Sequence, residues 1–186
     1  MLKLSQISAD TAQSHLKSLI LITFSFLLFS CDINSVLNKE DQNVKFYSEQ
    51  YQITVPGNWS KLNLHDDADL QYGNLRKEAY MIIFTEPKMD FEDGFTLQDY
   101  TDLTFSSIKD SLQNVSLGKV TKSKSNGYQV TKSPITGVID GVKIQYLHTT
   151  TEDADNFHQI IFWSLPSKFE SNRKKFEKAL ASFKKN

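Results

Sequence analysis

KVTKSKSNGYQVTKSPITGVIDGVKIQYLHTT, residues 119–150, holds Asn126-Gly127 and Asp140-Gly141 between runs rich in β-branched residues. Asn-Gly and Asp-Gly accept the positive φ that both central positions of a two-residue type I′ turn require, and the twist of that turn matches its flanking strands. The stretch therefore predicts three antiparallel strands, Lys119 to Ser125, Tyr128 to Ile139 and Val142 to Thr150, joined as a meander. Pro134 lacks an N–H for a ladder, so a bulge or an edge is expected there.

Working outward, Ile160 to Leu165 supplies the fourth strand of the meander, and Ala79 to Thr85 reads the same way: both runs are apolar on both faces. Strands of that kind belong in the middle of a sheet covered on both sides. Tyr51, Ile53 and Val55 alternate with Gln52 and Thr54, a half-buried strand that Pro56-Gly57-Asn58 turns into Trp59. Two helices supply the covers. Thr96 with Asp99 resembles a capping box, and Leu97, Tyr100, Leu103, Ile108 and Leu112 recur at helical spacing up to Asn114. After Pro166, Ser167 and Glu170 read as a second capping box, and Phe169, Phe176, Leu180 and Phe183 form one apolar stripe. The fold class is α+β, an antiparallel sheet of about six to seven strands with helices on both faces.

The chain has 186 residues, 39% of them hydrophobic and 23% charged, with a net charge of −1. That composition excludes a disordered chain, and the lack of positive excess argues against a nucleic-acid partner. The apolar residues cluster from Leu19 to Phe29, just before the only cysteine, Cys31. About eleven helical residues span roughly 16 Å, half of a bilayer core, which fits a signal peptide rather than a membrane-spanning helix. Leu28-Phe29-Ser30-Cys31 resembles a bacterial lipobox, which implies a lipoprotein signal peptide over 1–30 and acylation of Cys31. Residues 31–43 read as a flexible polar tether and 44–186 as one globular domain.

The Tyr51-to-Val55 strand running into Pro56-Gly57-Asn58-Trp59, the mid-chain helix and the meander resemble those of the PsbP-like family. So do the strand ending Phe162-Trp163-Ser164-Leu165-Pro166 and the closing Leu180-Ala181-Ser182-Phe183-Lys184. The resemblance spans Tyr47 to Lys184 and implies a PsbP-like α/β/α sandwich, a scaffold used mainly for docking to other proteins. It rests on residues that shape the fold, so it carries no functional residue to this chain.

Two groups have the chemistry of metal ligands. His65-Asp66-Asp67-Ala68-Asp69 presents His65, Asp67 and Asp69 at alternate positions, although the glycine and closing glutamate of an EF-hand loop are missing; a solvated acidic turn is expected instead. His148 and His158 would oppose each other across a hairpin centred near Asp153 with an odd-length loop, where packed, hydrogen-bonded histidines are expected rather than a metal pair. Gly-x-Ser-x-Gly, Ser-x-x-Lys and His-Glu-x-x-His are all absent, and there is no glycine-rich phosphate loop. The expectation is a non-catalytic envelope protein, held to a membrane through lipidated Cys31, that binds or stabilises another protein and needs no cofactor. The alternative is a small-ligand carrier with a pocket between the sheet and helix Thr96 to Asn114, lined by Tyr72, Tyr80, Tyr100 and Trp163; a metal-dependent hydrolase comes third.

Overall fold

A computed structural model describes residues 39–186; the leader, Cys31 and the tether up to residue 38 lie outside the described residues. Asn126 and Gly127 take φ of 49° and 84°, and Asp140 and Gly141 take 49° and 77°, so both tight turns form where their dipeptides demand them. The strands they join are β7 (Thr121–Ser125), β8 (Tyr128–Ile139) and β9 (Val142–Glu152), and β10 (Asn156–Ser164) completes the meander. Upstream lie β1 (Gln42–Phe46), β2 (Tyr51–Val55), β3 (Ser60–Lys61), β4 (Leu70–Asn74), β5 (Ala79–Pro87), helix α1 (Leu97–Asp110) and β6 (Gln113–Leu117). Helix α2 (Pro166–Ser182) and the short β11 (Lys184–Lys185) close the chain.

All pairing is antiparallel, in an eight-stranded sheet ordered β3-β4-β5-β10-β9-β8-β6, with β7 also on β8, and a separate sheet ordered β1-β2-β11. The expected six to seven strands in one sheet are thus corrected. The short strands β3, β4 and β6 carry no alternation long enough to read, and β2 leaves the main sheet to pair with both termini of the domain. β1 also begins at Gln42, ahead of the expected Val44 boundary. The two runs apolar on both faces, β5 and β10, lie side by side in the sheet interior, as their pattern requires.

β8 runs through Pro134 without a bulge, in continuous register with β9. On its other side β7 pairs with Tyr128 to Lys132 and β6 with Ile135 to Val138, and Pro134 falls where the two part. Its carbonyl accepts from the Gly118 N–H on that side, so the missing N–H faces the gap and costs no ladder bond.

The faces of the sheet follow from the register. Even-numbered β10 residues face α2: Phe162 stacks on Phe176 at 5.1 Å, and Phe176 also meets Trp59 and Phe169. The small sheet shares this face, with Tyr51 packed edge-on against His158 at 4.5 Å. Odd-numbered β10 residues face α1, where Phe157 stacks on Tyr100 at 4.8 Å. Helices therefore cover both faces, as expected. The α1 capping box forms, with Thr96 Oγ1 accepting from Asp99 N–H and the Asp99 carboxylate accepting from Thr96 N–H. The Ser167–Glu170 box does not. Leu165 is the N-cap of α2, without a side-chain bond, and Glu170 pairs with Arg173 at 2.7 Å. Pro166 at the first turn removes one of the N–H groups a cap would satisfy.

Candidate functional site

Helix α1 meets the sheet through hydroxyls as well as rings. Thr101 and Thr104 are buried and Leu103 is exposed, which corrects the expected apolar stripe. Threonine can satisfy its own hydroxyl on the helix backbone while turning it to the sheet: Thr101 donates to the Leu97 carbonyl and touches Thr150 Oγ1 at 2.6 Å. Thr104 Oγ1 donates to the Tyr100 carbonyl and lies 3.0 Å from His148 Nε2. The helix ends at Asp110, ahead of the expected Asn114, which takes φ of 51° and belongs to β6.

Beside this layer an open cleft of about 460 Å³ separates α1 from β5 and β10. Three carboxylates line it, Asp67, Asp69 and Glu86, and none of its lining residues is basic. Asp69 Oδ2 accepts from Thr85 N–H at 2.7 Å, and burial holds this carboxyl above the usual carboxylate range. Glu86 Oε2 accepts from the Tyr100 hydroxyl at 2.5 Å, and burial together with this carboxylate pushes the phenol far above its ordinary value. Gln159 and the hydroxyls of Thr104 and Ser107 add polar lining, with Phe84 and Leu103 as apolar wall. Gln159 is 8% exposed and stands opposite Phe84 across the β5–β10 pair.

The two histidines do not oppose each other, which corrects the expected pairing. The register joins Glu152 to Phe157 and Thr151 to His158, so an even number of residues separates the last pair and the hairpin is not centred at Asp153. His148 stands opposite Ile161 and faces α1, whereas His158 faces the small sheet. One odd step in register moves a side chain to the other face. His158 Nδ1 lies 3.2 Å from Thr85 Oγ1. His148 Nδ1 and His158 Nε2 are buried without partners, and burial lowers both imidazoles to about 4.

The acidic loop is likewise dispersed. His65 Nδ1 accepts from Asp67 N–H at 3.2 Å and its ring meets Phe84 edge-on, while Asp69 turns inward to Thr85. Among the described residues, no group of three or more His, Cys, Asp or Glu has the geometry of a metal site.

A third feature is apolar. Tyr80, Trp163, Tyr146, Ile135 and Leu117 stand directly opposite one another across β5, β10, β9, β8 and β6. Tyr80 and Trp163 stack at 5.3 Å, Trp163 and Tyr146 lie 6.1 Å apart, and all three are half-buried. Beyond them on the same face are half-buried Ile144 and, at the tip of the β8–β9 hairpin, Ile139 (38% exposed) opposite Val142 (47%).

No family model and no curated protein matches the chain. Solved structures do. The cyanobacterial PsbP protein (CyanoP) of Synechocystis sp. PCC 6803 superposes with a TM-score of 0.61 at 12% identity, over 80% of this chain and 94% of that one. The fold is PsbP-like. LpqN of Mycobacterium tuberculosis, described as involved in cell envelope biogenesis, shares the architecture with a TM-score of 0.58 at 8% identity, over 79% and 91% of the chains. PA94 of Pseudomonas aeruginosa, a protein of unknown function, gives 0.51 at 11% identity, over 77% and 95%.

In this PsbP-like sandwich the four aromatic residues expected to line a pocket are separated. Tyr72 stands opposite Met81 on the α2 face, and Tyr100 is fully buried against Phe157. Tyr80 and Trp163 stack at the opposite end of β5 and β10 from Tyr100. Glu86 and Gln159 were not singled out from sequence; the visible signal was a polar residue, Gln159, directly before the apolar run Ile160 to Trp163 of β10. Among the described residues no helix is long and apolar enough to cross a membrane.

Proposed function

We propose that this chain is a non-catalytic protein of the bacterial cell envelope, anchored through acylated Cys31, that docks another protein against the apolar end of its α1 face. The observation that carries the docking reading is the Tyr80-Trp163-Tyr146 row continuing to Ile144, Ile139 and Val142. Aromatic residues on a partly exposed sheet face are the composition of an interface core, and an apolar patch left open to water is unfavourable without a partner. The cell-envelope description of LpqN supports the location, and the lipobox-like Leu28-Phe29-Ser30-Cys31 supports the anchor. A carrier of apolar ligands is disfavoured, because the cleft beside α1 is lined by carboxylates and opens to solvent.

The test places a photo-crosslinking residue at Val142 in intact cells. One discrete adduct is expected, lost when Ile139→Glu and Tyr146→Ser are introduced with the melting temperature unchanged. Equal crosslinking from the exposed α2 position Lys174, or an adduct that survives both changes, would sink the docking reading.

A further inference from the structure

The two helices lie on opposite faces of the sheet and carry opposite charge. α2 holds five basic residues and two acidic ones, whereas α1 holds one basic residue and three acidic. The basic residues of α2 are also segregated. Lys174 and Lys175 stand four and three positions before Lys178, so the three share one flank, and Lys175 and Lys178 line an open cleft of about 370 Å³ against the Pro56-Gly57-Asn58 turn. Arg173 and Glu177 line a separate groove toward β8, and Glu170 pairs with Arg173. The two glutamates therefore do not interrupt the lysines.

The chain leaves the domain at this same flank. A Cβ at Gly57 would collide with the Lys39 and Glu40 carbonyls, so the first described residues run pressed against that glycine, and Lys39 joins the lining of the cleft. The β4–β5 turn extends the surface, because Asn74 Nδ2 donates to the Asn58 carbonyl at 2.7 Å and Asn172 Nδ2 of α2 donates to the Lys77 carbonyl at 3.2 Å. Exposed Arg76 and Lys77 thus join the lysines, with Leu75, 67% exposed, at the same turn. Of the carboxylates here, Asp41 is paired with Lys178 at 2.7 Å, and exposed Glu40 and half-buried Glu78 leave the basic groups in excess.

Cys31 stands eight residues before Lys39. Fully extended, that length reaches about 29 Å, whereas a domain of this size is about 38 Å across. An anchor at Cys31 reaches the lysine flank and not the far side of the domain. Anionic headgroups attract α2 and repel α1, so chain length and charge select the same orientation. An acyl chain and a polybasic patch are complementary membrane signals, and an exposed leucine beside lysines can enter the interface while the ammonium groups stay at the headgroups. We propose that the lysine flank of α2, with Lys39 and the β4–β5 turn, lies against the anionic lipid surface that holds the protein. The proposal rests on the Cys31 anchor, and it leaves the Tyr80-Trp163-Tyr146 row, on the α1 face, turned away from the lipid for a partner.

The experiment is amine acetylation of the full-length chain, isolated from cell membranes in detergent and placed in vesicles of equal parts phosphatidylglycerol and phosphatidylcholine, with each lysine read by mass spectrometry. Lys39, Lys175 and Lys178 are expected to react roughly fivefold more slowly than in pure phosphatidylcholine vesicles, and high salt should restore their rates. Exposed Lys109 on α1 and Lys143 on β9 should not change. Lys174→Glu with Lys178→Glu, at two exposed positions, should abolish the protection of Lys39. The mass of the Cys31 peptide reads the anchor separately: a free thiol there would sink the anchor reading, and coupling that thiol to a maleimide lipid in the same vesicles tests the flank by itself. No protection by anionic vesicles, equal protection by phosphatidylcholine alone, or equal protection of Lys109 and Lys143 would overturn the proposal. Protection already present in detergent would overturn it too, and would assign the flank to a co-isolated acidic protein.

Discussion

His148 and His158 set the acid response of this domain. Burial lowers each imidazole from 6.5 to about 4, so both are neutral in the folded state at pH 7. As pH falls below 6.5 the unfolded chain takes up protons that the folded one refuses, and stability drops until the folded histidines titrate near pH 4. Each histidine removes roughly 3 kcal/mol over that window, a large share of a typical domain's total of about 5 to 15 kcal/mol. Melting followed by circular dichroism should therefore lose most of its stability between pH 6.5 and 4. The double variant His148→Gln with His158→Gln should flatten that slope at a modest cost at pH 7; an equally steep slope in the variant would assign the acid response to other groups. Asp153 acts at lower pH. Its burial raises the carboxyl, but bonds from Tyr51, the Asp155 and Asn156 N–H groups and Lys185 bring it down to about 2. The stability it contributes is present above 3.8 and lost only as pH falls toward 2. The burial of both histidines was legible in their apolar strands. Their opposite facing was not, because facing depends on the parity of the β9–β10 loop and no dipeptide in Asp153-Ala154-Asp155 dictates a loop length.

At the level of elements, α2 is the clearest test of a stripe read from sequence. Phe169, Phe176, Leu180 and Phe183 are all buried, at 0 to 3% exposure, so the stripe faces the core. Phe176→Ala removes contacts with Trp59, Phe162 and Phe169 and should cost about 3 to 5 kcal/mol. Lys178→Glu breaks an exposed ion pair with Asp41 at 2.7 Å and should cost under about 1 kcal/mol. Urea denaturation of both variants measures the contrast, and similar losses would mean that the helix is oriented differently. On α1 the cap was legible and the buried face was not. Thr96→Ala should lower stability by about 1 kcal/mol in the same assay, since it leaves the Asp99 N–H unpaired. The buried Thr101 and Thr104 are matched by Thr150 and His148 on β9, and that complementarity exists only once strand and helix are docked.

Across the whole molecule, Phe183 ties the layers together. Its ring stacks on Tyr51 at 5.8 Å and meets Phe46, Tyr128 and His158, and its carbonyl accepts from Asn126 Nδ2 in the β7–β8 turn. Deleting residues 183–186 removes this contact and β11, and should lower the melting temperature more than Phe176→Ala does while the transition stays cooperative; an unchanged melt would mean that the small sheet stands without its C-terminal strand. Cys31→Ser should release the full-length protein from membranes or leave an uncleaved precursor, read by fractionation. The wild-type protein isolated with an unmodified thiol would exclude the anchor. What the sequence by itself determined is what local chemistry controls: the two glycine turns, the capping box of α1, the apolar stripe of α2, and β5 and β10 as interior strands. Those features depend on residues a few positions apart. Tertiary structure alone decided which face each histidine occupies, the departure of β2 into a second sheet, and the meeting of Asp69, Glu86 and Gln159 in one cleft. Each of these depends on register and docking between segments far apart in the chain, where a shift of one residue exchanges inside for outside.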